Sequence, residues 1–200
     1  MSLRKNCRGG CPQPQNATPP AREDTRLYTA AFTVLELLVV ITIIVILAGL
    51  ILATTGYVEK KGARSRAESE MAAISAALES YKADNGIYPT DPGKTENVNP
   101  TTSPIPAAAS LYLYEQLSGD SNNDRVVDTK SYFVFKPNML LPAPPSTANV
   151  TAIRDPFGNP YGYSTMKAAG GSGGYNPTYD LWSTANANPA NDQNQWVKNW

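Results

Sequence analysis

Residues 32–53 form an almost unbroken apolar run with one ionisable side chain, Glu36, near its start. As a helix rising about 1.5 Å per residue, the run would be about 33 Å long, enough to cross the hydrocarbon core of a bilayer. A carboxylate in such a stretch is expensive in lipid, so it marks a functional position and calls for a partner. The rest of the chain has to be arranged around this element.

The flanks orient it. Residues 1–31 are polar and rich in Pro, Asn and Arg, have no helical or strand period, and are expected to be disordered. They carry Arg4, Lys5, Arg8, Arg22 and Arg26 against Glu23 and Asp24, and everything after them is net acidic. Basic charge ahead of an apolar segment predicts a cytoplasmic N-terminus and an exported C-terminal part. A secretory signal would place small residues after a shorter apolar run. Here Ala30 and Ala31 come before it, so cleavage there would leave the whole apolar helix on the mature chain. Both cysteines, Cys7 and Cys11, lie in this leader, and the chain has no His. A zinc site is therefore not expected, and no basic patch points to nucleic acid.

Past Thr54 the pattern changes without leaving the helix. Glu59, Lys60, Lys61, Arg64, Arg66, Glu68 and Glu70 mark emergence into water. Ala67, Met71, Ile74, Leu78 and Tyr81 recur at alternating four- and three-residue steps, which draws one apolar face on an amphipathic helix. Gly56 and Gly62 are where a bend or a melted turn would fall. Asp84-Asn85-Gly86 followed by Pro89 predicts the helix end. One helix of about 50 residues, about 80 Å long, is thus expected.

The remainder, 87–200, reads as a small head. Residues 91–110 and 137–149 are Pro-rich and predicted to be loops, and 111–117 a short helix. Ser131–Lys136 alternates and is predicted to be a strand. Asp155-Pro156-Phe157-Gly158-Asn159-Pro160 is predicted to turn into a strand at 161–163, and Tyr179–Ser183 to form a last strand. Between the short helix and the predicted strand at 131–136, Asp120, Asn122, Asp124 and Asp128 stand at positions 1, 3, 5 and 9 of an EF-hand-like calcium loop. Arg125 and Ser131 occupy its Gly and bidentate-Glu positions, so a polar surface turn remains the alternative.

Five runs carry a resemblance. Ala31-Phe32-Thr33-Val34-Leu35-Glu36 resembles the cleavage and methylation site of type IV pilins and type II secretion pseudopilins, with Ala31 where the family usually has Gly. Tyr81–Thr90 resembles the Tyr-x-x-Asp-Asn-Gly-x-Tyr-Pro-Thr run that closes the long helix of major pseudopilins. Asp155–Tyr161 and Tyr179–Ser183 resemble their Asp-Pro-Trp-Gly-Asn-Pro-Tyr and Tyr-Asp-Leu-Trp-Ser runs, and Asn199-Trp200 their terminal pair.

The resemblance implies an α+β pilin-like fold, a long N-terminal helix packed on a small antiparallel sheet head. It divides the chain into a removed leader (1–31), a transmembrane or filament-core helix (32–53), its amphipathic continuation (54–86) and a pseudopilin head (87–200). It implies cleavage between Ala31 and Phe32 by a prepilin peptidase, N-methylation of Phe32, and a pairing of the new amine with Glu36 during assembly. The implied partners are further copies of the chain in a helical filament, minor pseudopilins, the inner-membrane secretion platform and, before assembly, membrane lipid. The implied location is the inner membrane, single-pass, with a periplasmic head. The family also binds calcium in the loop after the last strand. In this chain Ser183 and Asp192 are the ligand candidates there, and Ala187 stands about where a ligand Asp would be.

The chain carries no Gly-x-Ser-x-Gly elbow, phosphate loop or His, which argues against a hydrolase. A structural filament subunit is the expected class. A type IV pilus pilin or minor pilin and a membrane-anchored periplasmic binding module are the alternatives.

Overall fold

The computed structural model describes residues 33–101 and 103–200. The leader, with Ala31 and Phe32, lies outside them. The chain divides into two compact units, Met1–Ala48 and Gly49–Trp200.

Helix α1 is assigned over Val34–Asn85, 52 residues. In the first unit its described residues are exposed, and from Val34 on all but Glu36 and Thr42 are apolar. In the second unit it changes character. The backbone stays helical through Gly56 and Gly62, with no melted turn at either. Beyond them Ala67, Met71, Ile74, Ala77 and Leu78 are buried, and Tyr81 packs half-buried beside them. This is the predicted face, with Ala77 added. Gly86 ends the helix with φ 79°, its N–H donating to the Lys82 carbonyl at 2.7 Å. That left-handed backbone is open to glycine at no steric cost.

The helix face meets α2 (Ala107–Ser118), from which Leu113, Tyr114 and Leu117 are buried in the same core. The sheet side of this core brings Ile153, Tyr161, Tyr163 and Leu181. Fully burying side chains of this size contributes about 1.5–3 kcal/mol each. The head has two small antiparallel sheets. In one, β1 (Leu140–Leu141) pairs with β2 (Ala152–Ile153), Leu140 opposite Ile153. In the other, β3 (Gly162–Ser164), β4 (Asp180–Ser183) and β5 (Val197–Lys198) run in that order.

Gly162 is paired with Trp182 across β3 and β4. A Cβ on Gly162 would lie 2.1 Å from Trp182 Cε2, so the indole lies flat on a bare backbone. Trp182 then stacks on Trp196 at 6.5 Å between centroids and meets Trp200 edge-on at 6.0 Å, in a second core with Val98, Ile105, Ala109 and Ala187.

Residues 131–136 are not a strand. The Tyr132 and Phe133 N–H groups both donate to the Leu117 carbonyl, at 2.8 and 2.9 Å. The end of α2 leaves that carbonyl without an intrahelical partner, and the aromatic segment caps it instead of pairing in a sheet. Its Tyr132, Phe133 and Phe135 side chains still pack on the core.

Candidate assembly surface and cation loops

Helix α1 begins with a reciprocal cap. Glu36 Oε2 accepts the Thr33 N–H at 2.9 Å and the Thr33 hydroxyl at 3.0 Å, while Thr33 Oγ1 accepts the Glu36 N–H at 3.2 Å. Thr33 is the N-cap and Glu36 the third helical residue, the arrangement of a capping box. Its Thr-x-x-Glu spacing is legible at 33–36, but the sequence reading gave Glu36 only an assembly role. The carboxylate is exposed, and it sits where the helix dipole favours negative charge.

From there to Leu52 the helix offers a continuous apolar surface, with large side chains between 48% (Val39) and 83% (Val34) exposed. Its one mid-run hydroxyl, on Thr42, donates to the Leu38 carbonyl at 2.7 Å. The polar group is thus satisfied within the helix, as an apolar surrounding requires. The helix is long and apolar enough to cross a membrane. An apolar surface of this extent on a chain marks an interaction with lipid or protein.

In the head, the four predicted loop residues fall in one turn after α2. Asp120 is buried, and its Oδ2 accepts the Tyr114 hydroxyl at 2.7 Å and the Arg125 N–H at 2.8 Å. Burial, followed by this carboxylate, pushes the Tyr114 phenol above its ordinary value. Asn122 Oδ1 accepts the Asp124 N–H at 3.1 Å, and Asp124 Oδ1 the Val126 N–H at 2.9 Å. Asp128 Oδ2 accepts from Ser121 N–H at 3.1 Å and its hydroxyl at 2.9 Å. All four residues thus lie on one turn, and of the four only Asp120 is buried.

The chain is similar to the type II secretion system core protein G of several bacteria. It is 40% identical to that of Aeromonas hydrophila over 79 residues, 38% of this chain and 55% of the relative. It is 38% identical to that of Escherichia coli over 78 residues and 37% identical to that of Vibrio cholerae over 76. The likeness is to a type II secretion core protein. The chain spans about half the length of the curated relatives it matches. No family model and no solved structure matches it.

Against the pseudopilin pattern, the loop after β4 is organised differently from expectation. Ser183 is fully buried and donates to Asp155 Oδ2. Asp155 Oδ1 in turn accepts the Phe157 and Asn159 N–H groups at 2.9 and 2.8 Å, so this buried acid welds the Pro-Phe-Gly-Asn-Pro turn to β4. The sequence reading saw the turn and missed the acid's role; an Asp at the head of a Pro-Gly turn is the available signal. Asp192 spends one oxygen on the Asn194 N–H at 3.1 Å and the other on Gln195 Nε2 at 2.8 Å. Ser183 and Asp192 are thus not brought onto a common point, and Ala187 adds no oxygen ligand. A hard dication wants several anionic oxygens, and this donor set does not fit one.

Side chains in the middle of α1 tie the head to the helix. Arg64 donates to the Gln195 and Trp196 carbonyls at 2.7 and 3.1 Å. Glu70, which pairs with Arg66 at 3.0 Å, accepts the Tyr161 hydroxyl at 2.9 Å.

Proposed function

We propose that the chain is a structural subunit of a type II secretion pseudopilus, which assembles through α1 and supports protein export across the outer membrane. The observation that carries this is the division of labour along α1. Its first part is apolar all round and exposed, and its later part buries one face under a head. The stored form places the apolar part in the inner membrane, with the N-terminus cytoplasmic and the head periplasmic. The assembled form packs that part against the same part of other copies. The similarity to type II secretion core protein G supports this reading over the pilus and binding-module alternatives.

The same reading assigns cleavage between Ala31 and Phe32 to a prepilin peptidase, with N-methylation of Phe32. The new amine and Glu36 are opposite charges that are costly alone in an apolar surrounding and tolerable as a pair. Minor pseudopilins and the secretion platform complete the partner set, and the role is structural and not catalytic.

The test is intact-mass analysis of the chain made alongside an active prepilin peptidase, with electron microscopy of filaments on overproduction. The expected product begins at N-methylated Phe32 and forms filaments. An uncut chain that still carries residues 1–31 would overturn the proposal.

A further inference from the structure

Two acceptor oxygens in the loop after α2 are buried and have no donor: Asp120 Oδ1 and Asn123 Oδ1. Asp120 is 1% exposed, so its carboxylate is inside the protein and half-satisfied. Its other oxygen is held by the Arg125 N–H, which turns the carboxylate toward the inside of the 120–128 turn. Asn123, three residues on in the same turn, is also held in place. Its Nδ2 donates to Glu115 Oε1 at 3.1 Å and its carbonyl accepts the Val150 N–H at 2.8 Å.

Buried charge is stable only when paired, and among the described residues no ion pair is formed to Asp120. The Arg125 guanidinium goes to the Ala148 and Pro142 carbonyls, at 3.1 and 2.9 Å. Lys130 pairs with Asp84, and Lys94 lies 3.7 Å from Glu115. Asp124 and Asp128 add further negative charge, each using one oxygen on the loop backbone and keeping the other. Among the described residues no three acidic side chains cluster tightly enough to hold a metal by themselves. The site therefore has to combine carboxylate with amide oxygen.

We propose that the 120–128 loop binds a hard divalent cation of calcium size through Asp120 Oδ1 and Asn123 Oδ1, with Asp124 and Asp128 supplying surrounding charge. The amide ligand is Asn123, one residue past the Asn122 of the EF-hand-like spacing, because Asn122 Oδ1 is taken by the Asp124 N–H. The site lies outside the loop after β4, and it stands independently of the filament reading. An irregular all-oxygen ligand set favours calcium over magnesium, which demands near-ideal octahedral geometry.

The test uses the full chain in detergent micelles, stripped with a chelator. Calcium should raise the melting temperature more than equal magnesium. Terbium should bind with luminescence sensitised by the Tyr114 phenol, which touches Asp120. Asp120→Asn should weaken terbium binding at least tenfold. Asn123→Gly, which tolerates the φ of 65° there, should weaken it at least threefold in a folded chain. Asp192→Asn should leave it unchanged. A melt indifferent to calcium with no terbium emission would mean that water alone fills the place, and would overturn the proposal. So would binding that survives Asp120→Asn or is lost in Asp192→Asn.

Discussion

The Tyr161 hydroxyl, on a side chain with no exposed surface, donates to Glu70 Oε2 at 2.9 Å and so fastens the segment leading into β3 to the middle of α1. Burial, reinforced by the adjacent carboxylate, lifts the phenol well above its ordinary pKa. A hydrogen bond to a charged acceptor contributes about 1.5–3 kcal/mol. Tyr161→Phe should therefore lower the unfolding free energy by about 2 kcal/mol in a urea melt. Arg66→Ala, which removes the half-exposed ion pair on the same Glu70, should cost under about 1 kcal/mol. Equal costs would contradict the assignment of the latch to the tyrosine.

Gly162→Ala is a steric test of the sheet. The new methyl would enter the Trp182 ring, which cannot retreat because Trp196 and Trp200 lie against it. Overpacking of this kind costs about 1–3 kcal/mol where the neighbours can give, and here the upper end or more is expected. The readout is the near-ultraviolet circular dichroism of the tryptophan cluster, which should collapse while the helical signal of α1 persists.

Asp155 predicts a pH dependence. Burial pushes its carboxyl above the ordinary value of 3.8, against the pull of the bonds from Ser183, Asn159 and Phe157. A raised carboxyl favours the protonated form in the folded chain. Its stabilising contribution is full below pH 3.8 and is lost as pH rises through the higher folded value. The stability of the parent relative to Asp155→Asn should therefore fall as pH rises across that window. A difference that grows with pH would refute the direction.

The cap at the start of α1 can be separated from assembly. Thr33→Val removes the side-chain cap and keeps the carboxylate; capping losses cost about 1 kcal/mol. Glu36→Gln keeps a capping acceptor and removes the charge. On the proposed function, filament yield should survive the first change and fall sharply in the second, with membrane insertion intact in both. Loss of filaments in both would assign Glu36 to the helix start alone.

The extent to which the sequence revealed this structure follows the range of the interactions. The buried face Ala67–Leu78 and the stop at Gly86 were legible because each depends on neighbours within a few residues. Strands β3 and β4 were legible through turn and aromatic patterns. Strands β1, β2 and β5 were not, since each is two residues long and two residues carry no alternation. Ser131–Lys136 has the pattern of a strand and lost that fate to the Leu117 carbonyl, a competitor invisible in the segment itself. The loop candidates divided in the same way. The placement of Asp120, Asp124 and Asp128 on one turn after α2 is local and legible. The burial of Asp155 depends on Ser183, 28 residues further on, and is not legible.

The change of surroundings along α1 sets two different rules for how the chain can vary. The apolar side chains of residues 34–48 are exposed, so what those positions require is apolar character and not one shape. Residues 67–78 are free on the exposed flank and intolerant at Ala67, Met71, Ile74, Ala77 and Leu78, where volume matters more than polarity. Substitution scanning along one uninterrupted helix should therefore show uniform chemical constraint giving way to a constraint of period three to four.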